Sequence, residues 1–305
     1  GTGNGSTARL ELSGGITLTN NISFAARNNT STGILNVSGN NTLSGNFTLG
    51  TGGTTYTLES AAGLLAVSGN FTPPNSSTRT IIITGAGDGE LGGNLNFVSG
   101  NTLALTKSGG GTWTVSSTGH TYTGATSVTD GKLVVNGNIS TSVSTTVSGT
   151  GTLGGSGAVG NLVAQSGGTV APGNSIESLA AGNVSLESGS TFAYELNTLS
   201  LNGALLDSGG TLNISSGAIL TLSELASATR TIGDKLTLIS YTGAWNNGLF
   251  TYLGNPLADD STFTLGSNTW KFDYNDLTGG TNFTSDQTRA TGFVTLTAGP
   301  EPAPA

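Results

Sequence analysis

Residues 111–137 read GTWTVSSTGHTYTGATSVTDGKLVVNG, and the fold hangs on whether they form a catalytic site or one course of a repeating wall. His120, the only histidine of the chain, stands shortly before Asp130 and near Ser116, Ser117 and Ser127. A Ser-His-Asp triad needs a base oriented by a buried acid and placed beside an exposed nucleophile. None of these serines is set apart from the many other hydroxyls of the chain, and the stretch has no G-x-S-x-G elbow. A plainer order runs through the same residues. Leu133 and Val135 lie two apart, which is strand period, and Gly111, Gly124, Gly131 and Gly137 punctuate the turns. Gly111, Tyr122, Gly124, Val128, Gly131, Leu133 and Val135 are therefore expected to be the corners and inward-facing side chains of one coil.

The same pattern spreads outward. ARLELSGGITLTN (8–20), ILNVSGNNTLSGNFTLG (34–50) and TYTLESAAGLLAVSGNF (55–71) are short alternating strands joined by glycine turns. Thr and Ser fill the intervening strand positions, where solvent-facing sites suit them. The best helix candidate is LSELASAT (222–229), and it is short. Val37-Ser38-Gly39-Asn40 returns as Val67-Ser68-Gly69-Asn70 and Val98-Ser99-Gly100-Asn101, and GNFTLG (45–50) is echoed by GNFTPP (69–74). Approximate repeats of this kind indicate a solenoid, and a parallel β-helix favours them because each coil stacks on the last. At about 20–25 residues per coil, residues 1–230 supply about ten coils.

Composition narrows the function. Of 305 residues, 50 are glycine and 9% are charged, against roughly 7% glycine and about 25% charged in an average protein. The net charge is −8 and no basic cluster occurs, so nucleic-acid binding is not expected. Cysteine and methionine are absent, which excludes disulfides and thiolate sites and suits a secreted protein exposed to oxidants. No apolar run is long enough for a membrane span. The chain opens at Gly1 with no leader pattern, as a processed secreted product does.

The end of the chain differs. Residues 241–293 hold Tyr241, Trp245, Phe250, Tyr252, Phe263, Trp270, Phe272, Tyr274, Phe283 and Phe293. Such a unit is expected to cover the last coil of a solenoid. The expected organisation is a solenoid over 1–235, an aromatic-rich β cap over 236–298 and a Pro-rich tail over 299–305.

With these residues in view, the opening stretch resembles the autotransporter-associated β-strand repeat. The resemblance rests on Gly111, Thr112, Thr121-Tyr122-Thr123-Gly124, Thr126, Val128, Gly131, Leu133, Val135 and Gly137. It departs at Trp113, where Leu is usual, and at His120, where Asn is usual. Ala171-Pro172-Gly173-Asn174-Ser175 resembles the core of the segment that follows the repeat, with Ile176-Glu177 in place of the usual Pro-Gly. Residues 270–302 resemble the ending of secreted bacterial proteins that carry the repeat and then a Pro-Glu-Pro sorting signal, present here as Pro300-Glu301-Pro302. The hydrophobic segment and basic tail that normally follow are absent. The resemblance implies a right-handed parallel β-helix, secreted and displayed at a cell surface. It implies no activity and supplies no catalytic residue.

Asp88 and Glu90 of GAGDGELGG (85–93) suit a calcium loop but lack its full ligand pattern, so a polar turn is expected. Asp259-Asp260 and Asp273/Asp276 are the densest carboxylates, and a lyase or glycosidase on this fold would want such acids beside Lys271 or Arg289. No spacing ties those cations to them, and solvated charges on the cap are expected. Trp245, Tyr252 and Trp270 are expected to build the cap's core rather than to stack on sugars. N-x-S/T triplets such as Asn46-Phe47-Thr48 and Asn75-Ser76-Ser77 follow from composition if the source is bacterial.

No catalytic, cofactor-binding or metal-binding residue is assigned, and no cofactor and no enzymatic activity are expected. The expected protein is a secreted structural β-solenoid of the cell surface. It is expected to stack head to tail on itself through an uncapped N-terminal coil, forming an extracellular filament or matrix fibre. The alternatives are a surface adhesin or stalk binding cell-surface glycans and, behind it, a polysaccharide lyase or hydrolase.

Overall fold

The structure is a computed structural model that describes residues 8–72, 77–96, 101–283 and 290–300. Among the described residues there is no helix, and mostly parallel, stacked strands form a β-solenoid of about nine turns. Two compact units divide the chain: residues 1–153 with 158–160, and residues 154–157 with 161–305.

In the first unit each early coil contributes a strand to each of three sheets. Leu10–Ser13 pairs with Ile34–Ser38, which pairs with Thr55–Ser60. Thr17–Leu18, Asn40–Leu43 and Leu64–Val67 stack in a second sheet, and Ile22–Phe24, Phe47–Leu49 and Phe71–Thr72 in a third. All of these pairs are parallel. Strand alternation sends every second side chain inward, and register stacks the inward residues in columns. Leu43, Val67, Leu91, Val115 and Val135 form one such column, all fully buried. Phe47 and Phe71 stack face to face with ring centres 4.4 Å apart.

Side chains reinforce the stacking on the outside. The side-chain oxygen of Asn21 accepts the Asn46 amide, Asn46 accepts that of Asn70, and Asn70 that of Asn94, at 2.9, 3.0 and 2.8 Å. Beside this ladder runs a column of glycines. A β-carbon on Gly69 would lie 1.9 Å from the Gly45 carbonyl oxygen, and one on Gly93 would lie 2.0 Å from that of Gly69. Only glycine lets backbones approach this closely.

The coil length is 24 residues from Asn46 to Asn70 but 20 from Asp130 to Thr150. The V-S-G-N tetrapeptides are not equivalent positions in this stack. Val37 is exposed while Val67 is fully buried, and Val98 lies outside the described residues. The repeat that follows the coil is Gly45-Asn46-Phe47 and Gly69-Asn70-Phe71, echoed by Gly93-Asn94-Leu95.

Tyr122, Val128, Leu133 and Val135 point inward and are fully buried, as the 111–137 stretch implied. Trp113 departs from the smaller residues of its column. It stacks over Gly89, which in turn stacks over Leu65, and a β-carbon on Gly89 would lie 2.3 Å from the indole. The missing side chain at Gly89 is the space the ring occupies.

In the second unit the parallel stacking continues through Ser178–Ala181, Leu205–Ser208 and Lys235–Tyr241. Stacked partners drift from 22 residues apart at Asn161 and Asn183 to 28 at Asn183 and Thr211, and 32 at Ile214 and Asn246. The direction then reverses. Gly292–Ala298 adds antiparallel to Lys235–Tyr241, followed by Asn268–Asp276 and Thr262–Leu265, also antiparallel. Trp270, Phe272 and Tyr274 alternate inward on Asn268–Asp276, and Phe272 and Tyr274 join Phe250 in an aromatic cluster. The helix candidate at 222–229 is instead largely strand, Ile219–Ala226, held in parallel register along Thr191–Asn197. Tertiary pairing overrides a weak local preference there.

Gly89→Ala is expected to cost about 1–3 kcal/mol through overpacking against Trp113. Adding Trp113→Leu should recover part of that loss. Gly110→Ala, whose β-carbon meets nothing within 4 Å, should be neutral or slightly stabilising. Urea unfolding of the four proteins checks this; equal stability of wild type and Gly89→Ala would remove the packing argument.

Candidate functional site

The opening question is settled by where His120 and Asp130 go. His120 is buried, 4% exposed, and its Nδ1 accepts the Leu95 backbone N–H at 3.0 Å. An accepting Nδ1 leaves the proton of the neutral ring on Nε2. That atom is buried without a hydrogen-bond partner. Burial pushes the His120 pKa down to about 4. The ring thus takes up a coil-to-coil bond of the kind the asparagines make one side chain earlier.

Asp130 turns to other partners. Its Oδ1 accepts the Thr150 hydroxyl at 2.6 Å and the Gly131 amide at 2.8 Å, and these bonds, chiefly the first, hold its carboxyl below the ordinary range. Ser116 donates to Glu90 at 2.7 Å, and Ser117 donates to Asn94. Base, acid and hydroxyls are each committed to a different neighbour in the stack.

Lys107 was not singled out by sequence. It ends the alternating strand Asn101–Lys107 at an inward position after Leu103 and Leu105, and it is fully buried between Ile83 and Val128. Its ammonium donates to the carbonyls of Ser108, Gly109 and Asp130 at 3.1, 2.6 and 2.9 Å. Burial lowers its pKa to about 8, against the opposing charge of Asp130. All three N–H donors are used, so the ammonium ties one coil's corner to the next. The signal that identifies it is a cation where the strand's alternation demands an apolar residue.

A buried hydroxyl chain lies alongside. The Tyr122 hydroxyl is 2.7 Å from that of Thr126, which is 3.0 Å from that of Ser142, and Ser142 donates to the Gly124 carbonyl at 2.8 Å. Burial raises the Tyr122 phenol well above its usual range.

Asp88 and Glu90 act between coils too. Asp88 accepts the Thr112 amide at 3.0 Å, and Glu90 accepts Ser116. The described carboxylates that do gather are Asp259, Asp260 and Asp273, with ligand atoms within 4.8 Å of one another. Here the structure corrects the expectation that no cation is tied to them. The hairpin that pairs Thr262 with Lys271 carries Lys271 back to Asp260 at 2.6 Å and Asp273 at 3.4 Å. The bond to Asp260 raises the Lys271 pKa. Asp259 accepts the Tyr274 amide at 2.9 Å and the Asn275 side-chain amide at 3.1 Å. Asp276 pairs with Lys235 at 2.5 Å instead. Burial alone would raise the Asp276 carboxyl, but Lys235, the Thr278 amide and the Thr295 hydroxyl together hold it low. Arg289 lies outside the described residues.

The three aromatics are occupied by packing. Trp270 is fully buried, Trp245 stacks on Tyr274 at 5.0 Å, and Tyr252 lies 4.9 Å from Phe263.

No family model matches the chain, and no curated protein matches it. The class defined by the fold is the β-solenoid.

His120 gives a signed pH dependence. Its folded pKa lies below the unfolded value, so the unfolded chain binds the proton first as pH falls. Stability is unaffected above about pH 6.5, falls between there and about pH 4, and the loss reaches on the order of 3 kcal/mol. Urea unfolding at several pH values should show this loss in wild type beyond that in His120→Asn. An imidazole titrating at its ordinary value by NMR would contradict it.

Proposed function

We propose that this protein is a secreted structural β-solenoid of the autotransporter-associated repeat type, which assembles with further copies of itself at a cell surface. The observation that carries the reading is the first described coil. Leu10–Ser13, Thr17–Leu18 and Ile22–Phe24 are each paired on one side only among the described residues. Where no further coil of the chain covers it, such an edge is a template for a strand of another copy. Leu10, Ile22, Phe24 and Ile34 line a hollow of about 240 Å³ at this coil. Of the charges at this coil, Arg9 and Glu11 pair with each other at 2.7 Å, and Arg27 is buried with its guanidinium donating to the carbonyls of Ala8 and Thr32.

The roles of the polar groups support the same reading. His120, Lys107, Asp88, Glu90 and Asp130 all make bonds that hold coils together. The absence of Met and Cys and the resemblance of the Pro300-Glu301-Pro302 motif to a sorting signal support secretion, and Glu301 and Pro302 lie outside the described residues. The adhesin alternative has less support, because Trp270 is core and Trp245 and Tyr252 are half-buried, each against another ring. The lyase or hydrolase alternative rests on Lys271 among Asp259, Asp260 and Asp273, and uronic-acid release from acidic polysaccharides would be its signature.

Sedimentation and electron microscopy of the purified protein test the assembly. Wild type should form larger species as concentration rises. Leu10→Lys with Ile16→Lys, Ile16 being the 46% exposed residue that precedes Thr17–Leu18, should leave the circular dichroism spectrum unchanged and keep the protein monomeric. Wild type that stays monomeric at every concentration overturns the proposal.

A further inference from the structure

The first strand carries a charge pattern that matches its own copy. Leu10 donates its backbone N–H to the Gly33 carbonyl at 3.0 Å, and Leu10 and Leu12 point inward, half-buried and buried. Backbone groups alternate in direction along a strand, so those of Arg9 and Glu11 face the open side. The side chains of Arg9 and Glu11 meet at 2.7 Å and stay 43% and 53% exposed. A strand arriving at this edge therefore meets one cation and one carboxylate, two residues apart and both within reach.

Two kinds of contact can use such an edge. A heterologous contact brings up a different surface, and an isologous one brings up the same edge of a second copy across a two-fold axis. At the other end of the same sheet, Thr262–Leu265 is also paired on one side only among the described residues. Its sequence, Thr-Phe-Thr-Leu, holds no charge to answer Arg9 or Glu11. The distribution of charge points the same way. Residues 1–153 hold five cations and five carboxylates, so the net charge of −8 falls on the rest of the chain. A contact between two first coils joins segments of no net charge.

A two-fold axis then limits the register. Strands related by it run antiparallel, and inward residues must face inward residues. One such register sets Glu11 directly opposite Glu11 of the second copy, and like charges so placed are destabilising. The other sets Leu10 opposite Leu10, and Arg9 of each copy opposite Glu11 of the other, twice by symmetry. There Arg9 and Glu11 form the hydrogen-bonded pairs through the backbone groups that face the open side, and the two Leu10 residues form the closer, non-hydrogen-bonded pair.

We propose that the first coil pairs with the first coil of a second copy in this register, a contact that closes at two copies. The inference rests on the assembly proposed above and, like it, on an edge that no further coil of the chain covers.

Sedimentation of charge variants tests it. Arg9→Glu sets carboxylates opposite carboxylates, and Glu11→Arg sets cations opposite cations. Each alone should raise the dimer Kd about tenfold or more. An equimolar mixture of the two should associate at least as tightly as wild type, because each copy then answers the other. A head-to-tail contact gives no such rescue. Cysteine cross-linking is a second readout in a chain that has no cysteine, and it decides if the charge variants do not fold. Under mild oxidation Leu10→Cys should form disulfide-linked pairs faster than Glu11→Cys, which the other register would set opposite itself. Wild type that stays monomeric removes the assembly and this pairing together. Single charge variants that associate as wild type does, a mixture without rescue, or Glu11→Cys cross-linking as fast as Leu10→Cys would each overturn the pairing and leave the assembly standing.

Discussion

At the corners of the first unit, the carbonyl oxygen of one coil sits where the next coil's β-carbon would stand. Gly45, Gly69 and Gly93 are glycines for that reason, and the rest of the stack follows from it. With backbones this close, the amide of each following Asn reaches the side-chain oxygen of the Asn one coil earlier. Phe47 and Phe71 are brought face to face, and the aliphatic column from Leu43 to Val135 is fully buried. Backbone contact, side-chain ladder and core packing are three results of one geometric requirement.

Much of this was legible in the residues. Alternation of Leu and Val with Ser and Thr declares strands, and recurring glycine turns declare a coil. Two repeats competed for the coil length. The more conspicuous, Val-Ser-Gly-Asn, links a residue exposed in one copy to one buried in the next. Its letters recur because Ser, Gly and Asn suit any turn of this fold. Gly-Asn-Phe marks the true period because each of its letters answers a different physical demand at one place: close approach, a ladder acceptor and a core ring.

The chemistry of individual side chains was less legible, since it depends on which residues face each other across coils. His120 and Asp130 are close in sequence and bonded to different neighbours. Lys271 and Asp260 are further apart in sequence and share a bond, because a hairpin folds one back on the other. Lys107 could be placed inward by counting along its strand, yet its three carbonyl partners come from two corners that only stacking brings together. The aromatic cluster near the C-terminus was readable from composition, whereas the reversal of strand direction that accompanies it was not.

The length of the coil is not constant, and columns survive the change. Stacked partners are separated by 24 residues in one place, 20 in another and 32 in a third, while asparagines keep receiving backbone amides from neighbouring coils in both units. The extra or missing residues are absorbed in the connections between columns. Such a chain tolerates insertion and deletion at its bends, because a change there leaves inward and outward positions unshifted. A single residue added within a strand has the opposite effect, turning every following side chain of that strand to the wrong face. Length variation in a lineage of this protein is therefore confined by geometry to the bends, where new surface can be acquired without disturbing the stack.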